Sequence, residues 1–157
     1  MSRLKIRDAM LKDIKAIADI AVEAFWKEYG SREKAEEAFK GVVAKRWECI
    51  IGRGTGTILV AEEEGQVIGF LVFRWWFGWY GWLEVIAVRK DHKGKGIGTR
   101  LIETLIQRAR KEGYTKICFA VKKEDLVNFY KKFDAKPFGE LPCEESGRLI
   151  LYYISVK

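Results

Sequence analysis

The stretch Lys93-Gly94-Lys95-Gly96-Ile97-Gly98-Thr99 carries the densest chemical signal in the chain. Its alternating glycines leave no Cβ in the way, so backbone N–H groups can close on an oxyanion. Between positions 89 and 100 the cations are Arg89, Lys90, Lys93, Lys95 and Arg100, against Asp91 alone; five minus one leaves +4. Glycines plus positive charge suit a phosphate or diphosphate. A solvated basic turn with glycines at its corner has the same composition, and at this point both readings stand.

Glu84 is the second candidate. It is the only charge in the apolar run Leu83-Glu84-Val85-Ile86-Ala87-Val88. In a regular strand it shares a face with Trp82, Ile86 and Val88. A carboxylate there is partly desolvated, which makes it a better proton acceptor. Pairing with a cation of a neighbouring strand, such as Arg74, is the competing assignment. Metal chemistry finds little support. His92 is the only histidine, and Cys49, Cys118 and Cys143 lie far apart with no CxxC pair, so neither a zinc site nor a disulfide framework is expected. Cys118, inside an apolar run, reads as core.

An anion loop of this kind needs a strand before it and a helix after it, so that the first helical amides face the ligand. Both are legible. Leu83 to Val88 is apolar on both faces except at Glu84, the pattern of a covered central strand. Ile97, Leu101, Ile102, Leu105, Ile106 and Ala109 stripe a helix that stops near Gly113. The segment from Gly52 to Gly56 is also glycine-rich, but it leads into a strand and reads as a connection.

Around this unit, Leu4 to Arg7 alternates as a short strand. Leu11, Ile14, Ala18, Ala21, Phe25 and Tyr29 stripe a helix that ends at Gly30. Ser31 caps a second helix whose stripe is Ala35, Ala38, Phe39, Val42, Val43, Trp47 and Ile50. Strands follow at 57–61 and 67–75, joined by the turn Glu63-Glu64-Gly65-Gln66. Residues Trp75 to Trp82 form an aromatic hairpin tip with four tryptophans. Three readings fit it: lining for a pocket that meets a cationic ligand with its π-faces, a homodimer contact, or packing within the hairpin. Thr115 to Val121 is a buried strand, Glu124 to Phe133 a short helix, and Arg148 to Val156 a closing strand. The order is that of a mixed sheet with helices on it.

Bulk properties narrow the classes. A length of 157 residues fits one domain, here 1–157. The chain is 48% hydrophobic and 32% charged, which supplies a core. No apolar run reaches the ~18 residues of a membrane span, and no membrane partner is expected. The charged start of the chain has no signal-peptide core, so the expected location is cytoplasmic. The net charge of +7 suits an anionic ligand. Nucleic acid is not expected, because the basic window is confined to one loop and no nucleic-acid motif accompanies it. GxxxxGK[ST] is absent, and a third glycine of GxGxxG would fall at Leu101, which argues against P-loop and Rossmann sites.

The segment from Val88 through Lys93-Gly94-Lys95-Gly96-Ile97-Gly98-Thr99 to Leu101 resembles the acetyl-CoA motif of the GNAT superfamily of N-acetyltransferases, Arg/Gln-x-x-Gly-x-Gly/Ala after an apolar strand end. Lys93 stands where the family has Arg or Gln. Asn128-Phe129-Tyr130 is similar to the family's Phe/Leu-Tyr helix, although Asp134-Ala135 replaces the usual Gly-Phe and Lys123 stands at the usual asparagine. The element order agrees along essentially the whole chain.

The resemblance implies the GNAT fold: an α/β chain of α+β type, with a single mixed, mainly antiparallel sheet of six or seven strands flanked by about four helices. It implies acetyl-CoA as co-substrate, no metal, and transfer of the acetyl group to a primary amine whose identity is unknown. Residues 93–99 would hold the diphosphate, and the backbone of Ile86, Ala87 and Val88 the thioester end. Tyr130 would contact the cofactor and return a proton to the departing thiolate; Glu84 would serve as base. A module that binds coenzyme A as a sensor or scaffold without turnover is the alternative.

Overall fold

The computed structural model describes residues 3–76, 78–122, 124–144 and 147–156. Its elements in chain order are β1 (Leu4–Asp8), α1 (Ile14–Phe25), α2 (Arg32–Lys40), α3 (Val42–Arg53), β2 (Gly56–Glu63), β3 (Gln66–Trp76), β4 (Tyr80–Val88), α4 (Ile97–Lys111), β5 (Lys116–Val121), α5 (Glu124–Lys131), β6 (Lys136–Cys143) and β7 (Gly147–Ser155). The strands form one seven-stranded sheet in the order β1-β2-β3-β4-β5-β7-β6. β4 and β5 run parallel, as a strand–helix–strand unit requires; β1–β2, β2–β3, β5–β7 and β6–β7 run antiparallel. This is the expected mixed, mainly antiparallel sheet.

Residues 3–74 and 84–105 make one compact unit. Its core is aromatic at the centre. Trp47 meets Phe70 edge-on at 5.5 Å, and Phe39 stacks on Trp47 at 6.0 Å. Ile17, Ile50, Val60 and Val72 close the cluster from α1, α3 and the sheet. The β2–β3 turn is tight: Glu64 and Gly65 have φ of 52° and 77°, the pair of positive φ angles that a two-residue hairpin needs.

Two helix expectations are corrected. The stripe from Ala35 to Ile50 belongs to two helices, not one. Gly41 breaks it with φ −103° and ψ −110°. A Cβ there would stand 2.5 Å from the Glu37 carbonyl oxygen, so the kink needs glycine. The kink leaves Val42 66% exposed while Trp47 and Ile50 turn inward. In the first stripe, Leu11 sits in a short 3-10 turn ahead of α1 and Tyr29 in a turn after it, so both are exposed.

Residues 75–83 and 106–156 make the second unit. β7 lies between β5 and β6. Pro137 and Pro142 fall in β6, at the sheet edge, where a missing N–H costs no ladder bond on the open side. At the aromatic tip, Trp75 stacks on Tyr114 at 4.4 Å, and Trp76 meets Tyr80 and Trp82 edge-on at 5.7 and 6.4 Å. The Trp79 carbonyl accepts from both the amide and the hydroxyl of Thr115, at 2.6 and 3.0 Å. Packing therefore accounts for much of the tip, while the rings of Trp76 and Trp79 remain exposed. Phe77, also part of that tip, lies outside the described residues.

Candidate functional site

The loop is built as an anion cradle. Gly94 and Gly96 have φ of 78° and 80°, a region that side-chain-bearing residues avoid. A Cβ at either would have no atom within 4 Å, so the backbone faces open space. The Arg100 amide makes the helical bond to Gly96 O at 3.1 Å, which places the amides of Ile97 and Gly98 ahead of the first such bond, at the positive end of α4. Residues 93–96 are exposed, and Ile97 turns into the core. Lys93 and Lys95 make no ion pair among the described residues. Free lysines, a backbone without Cβ and a helix start are the donor set that fits a diphosphate.

The strand before the loop and the helix after it are fixed to each other at Gly69. A Cβ on Gly69 would lie 3.2 Å from the Ala87 carbonyl oxygen, 3.3 Å from Ile97 Cγ2 and 3.4 Å from Val88 Cγ2. The glycine lets Val88 and Ile97 converge on β3, and this pins both ends of the loop. The Arg89 amide then bonds to Ile68 O at 2.8 Å and ends β4 in register.

Asp91, counted above only as the lone negative charge, organises the approach to the loop. It takes two hydrogen bonds from Arg89, at 2.7 and 3.1 Å, and lies 3.0 Å from His92 Nδ1. These contacts, His92 first and then Arg89, hold its carboxyl down at about 2. Arg89 also reaches Gln66, and His92 Nε2 lies 3.5 Å from Glu63. Arg89 is thus spoken for, and the loop's available charge rests on its lysines.

At Glu84 the structure departs from strand alternation. Phe70, Val72 and Ala87 belong to the aromatic core cluster, and Val85 packs on it. Arg74 follows Val72 by two positions and shares that face. Arg74 Nη1 stands 3.7 Å from Glu84 Oε1, so Glu84 lies on the same face as its neighbour Val85. Val88, against Gly69 and Ile97, is on the other. Glu84 therefore does not share a face with Val88. Alternation slips by one residue between Glu84 and Val85, as at a β-bulge, a device that re-aims side chains. The expected desolvation is also absent: Glu84 is exposed and faces Arg74, the pairing that competed with the base assignment.

In the second unit, Tyr130 is 6% exposed. Its ring packs on Phe119 at 4.1 Å and meets Phe129 edge-on at 4.9 Å. Burial pushes its phenol up to about 12, so it keeps its proton at neutral pH. Its hydroxyl bonds to no described residue, and among the described residues no buried side-chain polar atom lacks a partner, so the hydroxyl keeps some contact with solvent. Phe119, its support, had no sequence signal beyond its place in an apolar run. Lys123, at the family's asparagine position, lies outside the described residues.

Among the described residues, no group of three or more His, Cys, Asp and Glu side chains is arranged to hold a metal ion. No helix among them is long and apolar enough to cross a membrane.

Comparison with known proteins gives the family. Residues 16–135 match the Acetyltransferase (GNAT) family. An L-methionine sulfoximine/L-methionine sulfone acetyltransferase of Pseudomonas aeruginosa is 26% identical over 96 residues, covering 57% of this chain and 56% of that protein. The match thus spans about half the length of that relative. The L-amino acid N-acyltransferase MnaT of Escherichia coli is 39% identical over 57 residues, 34% of this chain and 33% of that protein. The paiA N-acetyltransferase of Thermoplasma acidophilum, solved in complex with coenzyme A, superposes with a TM-score of 0.77 at 17% identity, over 98% of this chain and 99% of that one. The family match covers most of the chain, and the chain belongs to the GNAT family of acetyltransferases.

Proposed function

We propose that this chain transfers an acetyl group from acetyl-CoA to a primary amine of a small molecule or protein, as one acetyltransferase domain over residues 1–157. The observation that carries the proposal is the loop between β4 and α4, with Gly94 and Gly96 at positive φ, open space in front of them and two lysines that make no ion pair among the described residues. Acetyl-CoA supplies the acyl group activated as a thioester. The backbone of residues 93–99 and the charges of Lys93 and Lys95 hold its diphosphate. The backbone of Ile86, Ala87 and Val88 receives the thioester end, with the Val88 N–H assigned to the carbonyl oxygen. Glu84 takes the proton that the amine must lose. Tyr130, protonated at neutral pH, gives one to the departing thiolate. A new C–N bond replaces the C–S bond; of the two protons an ammonium loses, one passes through Glu84 to solvent and the other replaces the proton that Tyr130 gives the thiolate.

Two finer points belong to the same reading. A cytoplasmic location agrees with Cys49, Cys118 and Cys143 forming no disulfide. A homodimer would use the exposed rings of Trp76 and Trp79, and sedimentation of Trp79→Ser against the parent tests it.

The whole proposal is tested by native mass spectrometry of the gently purified protein, followed by thiol release from acetyl-CoA with a panel of amines. Bound coenzyme A and amine-dependent release are expected. Coenzyme A binding without release for any amine would return the chain to a sensor or scaffold, and no binding at all would end the proposal.

A further inference from the structure

We infer that Arg74 and Glu84 form the polar seat of the acceptor, and that the acceptor is a free α-amino acid. This rests on the acetyl-transfer reading and adds the class of amine. Arg74 Nη1 and Glu84 Oε1 stand 3.7 Å apart, with side chains 37% and 31% exposed. That separation is beyond hydrogen-bond length. Neither side chain makes a hydrogen bond to any described residue. A guanidinium offers five N–H donors in a fixed fork, and a carboxylate has several acceptor lone pairs. The pair therefore sets opposite charges side by side, with donors and acceptors that no described residue takes up.

The surroundings keep it so. The residue opposite Arg74 on β2 is Gly56, so no side chain on that strand competes for the guanidinium. The slip in β4 brings Glu84 to the Arg74 face; a regular strand would turn it to the face of Val88. Each half of the pair is thus held at the sheet surface with solvent in front of it.

The complement of a fixed positive and negative charge side by side is a negative and a positive charge side by side. An α-amino acid carries both on one carbon. Its carboxylate accepts two parallel N–H bonds from Arg74. Its ammonium donates to Glu84, which puts the nitrogen that must lose a proton against the group assigned to take it. A polyamine or a lysine side chain offers Arg74 no anion and brings it a like charge, which selects against both.

The test uses the purified full chain with acetyl-CoA and matched acceptors: L-methionine and L-phenylalanine against their decarboxylated amines, plus spermidine and a lysine peptide. The amino acids are expected to exceed their decarboxylated amines in kcat/KM by about ten- to hundredfold, carried in KM, the scale of one lost charge-assisted hydrogen bond. Arg74→Gln should collapse that ratio towards unity, and Arg74→Lys, which keeps the charge without the fork, should restore part of it. Calorimetry of the amino acids into coenzyme A-loaded protein should lose its signal in Arg74→Gln. A preference for the decarboxylated amines, spermidine or the peptide, or a ratio unmoved by Arg74→Gln, overturns the inference and leaves acetyl transfer standing. If neither coenzyme A binding nor turnover is found, the underlying reading fails; calorimetry of the amino acids alone then decides the seat, and no heat overturns it too.

Discussion

The ring of Tyr130 stands 4.1 Å from that of Phe119, with 33° between their planes. α5 thus sets its tyrosine against β5, and the same burial that fixes the ring holds the proton on its oxygen. In Tyr130→Phe, kcat should fall by about tenfold or more, with KM for acetyl-CoA moved far less, because the ring contacts survive and only the proton donor is lost. Burial pushes the folded phenol up to about 12, above its ordinary value of 10.0. Between those values the unfolded chain sheds a proton that the folded chain keeps, so stability falls as pH rises through that window. Urea unfolding from pH 9 to 12 should show a decline in the parent that is shallower in Tyr130→Phe. Equal slopes would contradict the buried phenol.

Gly96→Val should weaken coenzyme A binding by about tenfold, since a φ of 80° costs a branched residue roughly 1–2 kcal/mol. The open space in front of Gly96 means that the fold itself should survive. Lys93→Gln with Lys95→Gln should weaken binding and also flatten its salt dependence, because the removed charges are exposed and screened. Calorimetry at low and high salt measures both effects. A double variant with the parent's affinity would leave the loop a mere turn.

Arg7 sets two bonds on Asp13, at 2.8 and 3.0 Å, and a third on Glu62 at 3.1 Å; the Met10 amide adds a bond to Asp13 at 2.7 Å. Asp13 is 5% exposed. Chiefly through the Arg7 hydrogen bond, its carboxyl is held below the ordinary value of 3.8. The stabilisation is therefore present above that value and lost as pH falls through the lowered one. Asp13→Asn should cost about 2–3 kcal/mol at pH 7, below the ~3–5 kcal/mol of a fully buried broken pair because Glu62 still faces Arg7. The gap between variant and parent should close in acid. A pH-independent gap in urea midpoints would show that the charge is not what matters.

The strand–loop–helix unit was legible because its signals are local: an apolar run, alternating glycines and a helical stripe in immediate succession. The Gly41 break was not, since Val42, Val43 and Trp47 continue the spacing and a lone glycine inside a stripe gives no warning. Glu84 was legible as a residue of interest but not in its orientation. A bulge has no residue signature, and only Arg74 on the next strand reveals which way the side chain turns. Asp13 and Asp91 carry little sequence signal for a related reason. Their partners, Arg7 with Glu62 and Arg89 with His92, come together through turns and hairpins. Composition records such charges only as a sum.

The slip between Glu84 and Val85 also bears on how such a strand can change. A substitution alters what sits on each face of β4 but not which residues share it. Removing one residue at position 84 would bring the two halves of the strand back into step, with Trp82, Val85 and Ala87 along one side. The carboxylate would be gone and the aromatic run would join the core pattern without interruption. Length, more than residue identity, is thus what separates this strand from an ordinary one. In a chain of the same fold, a one-residue deletion here would remove the acidic group from the Arg74 face while leaving every hydrophobic position filled.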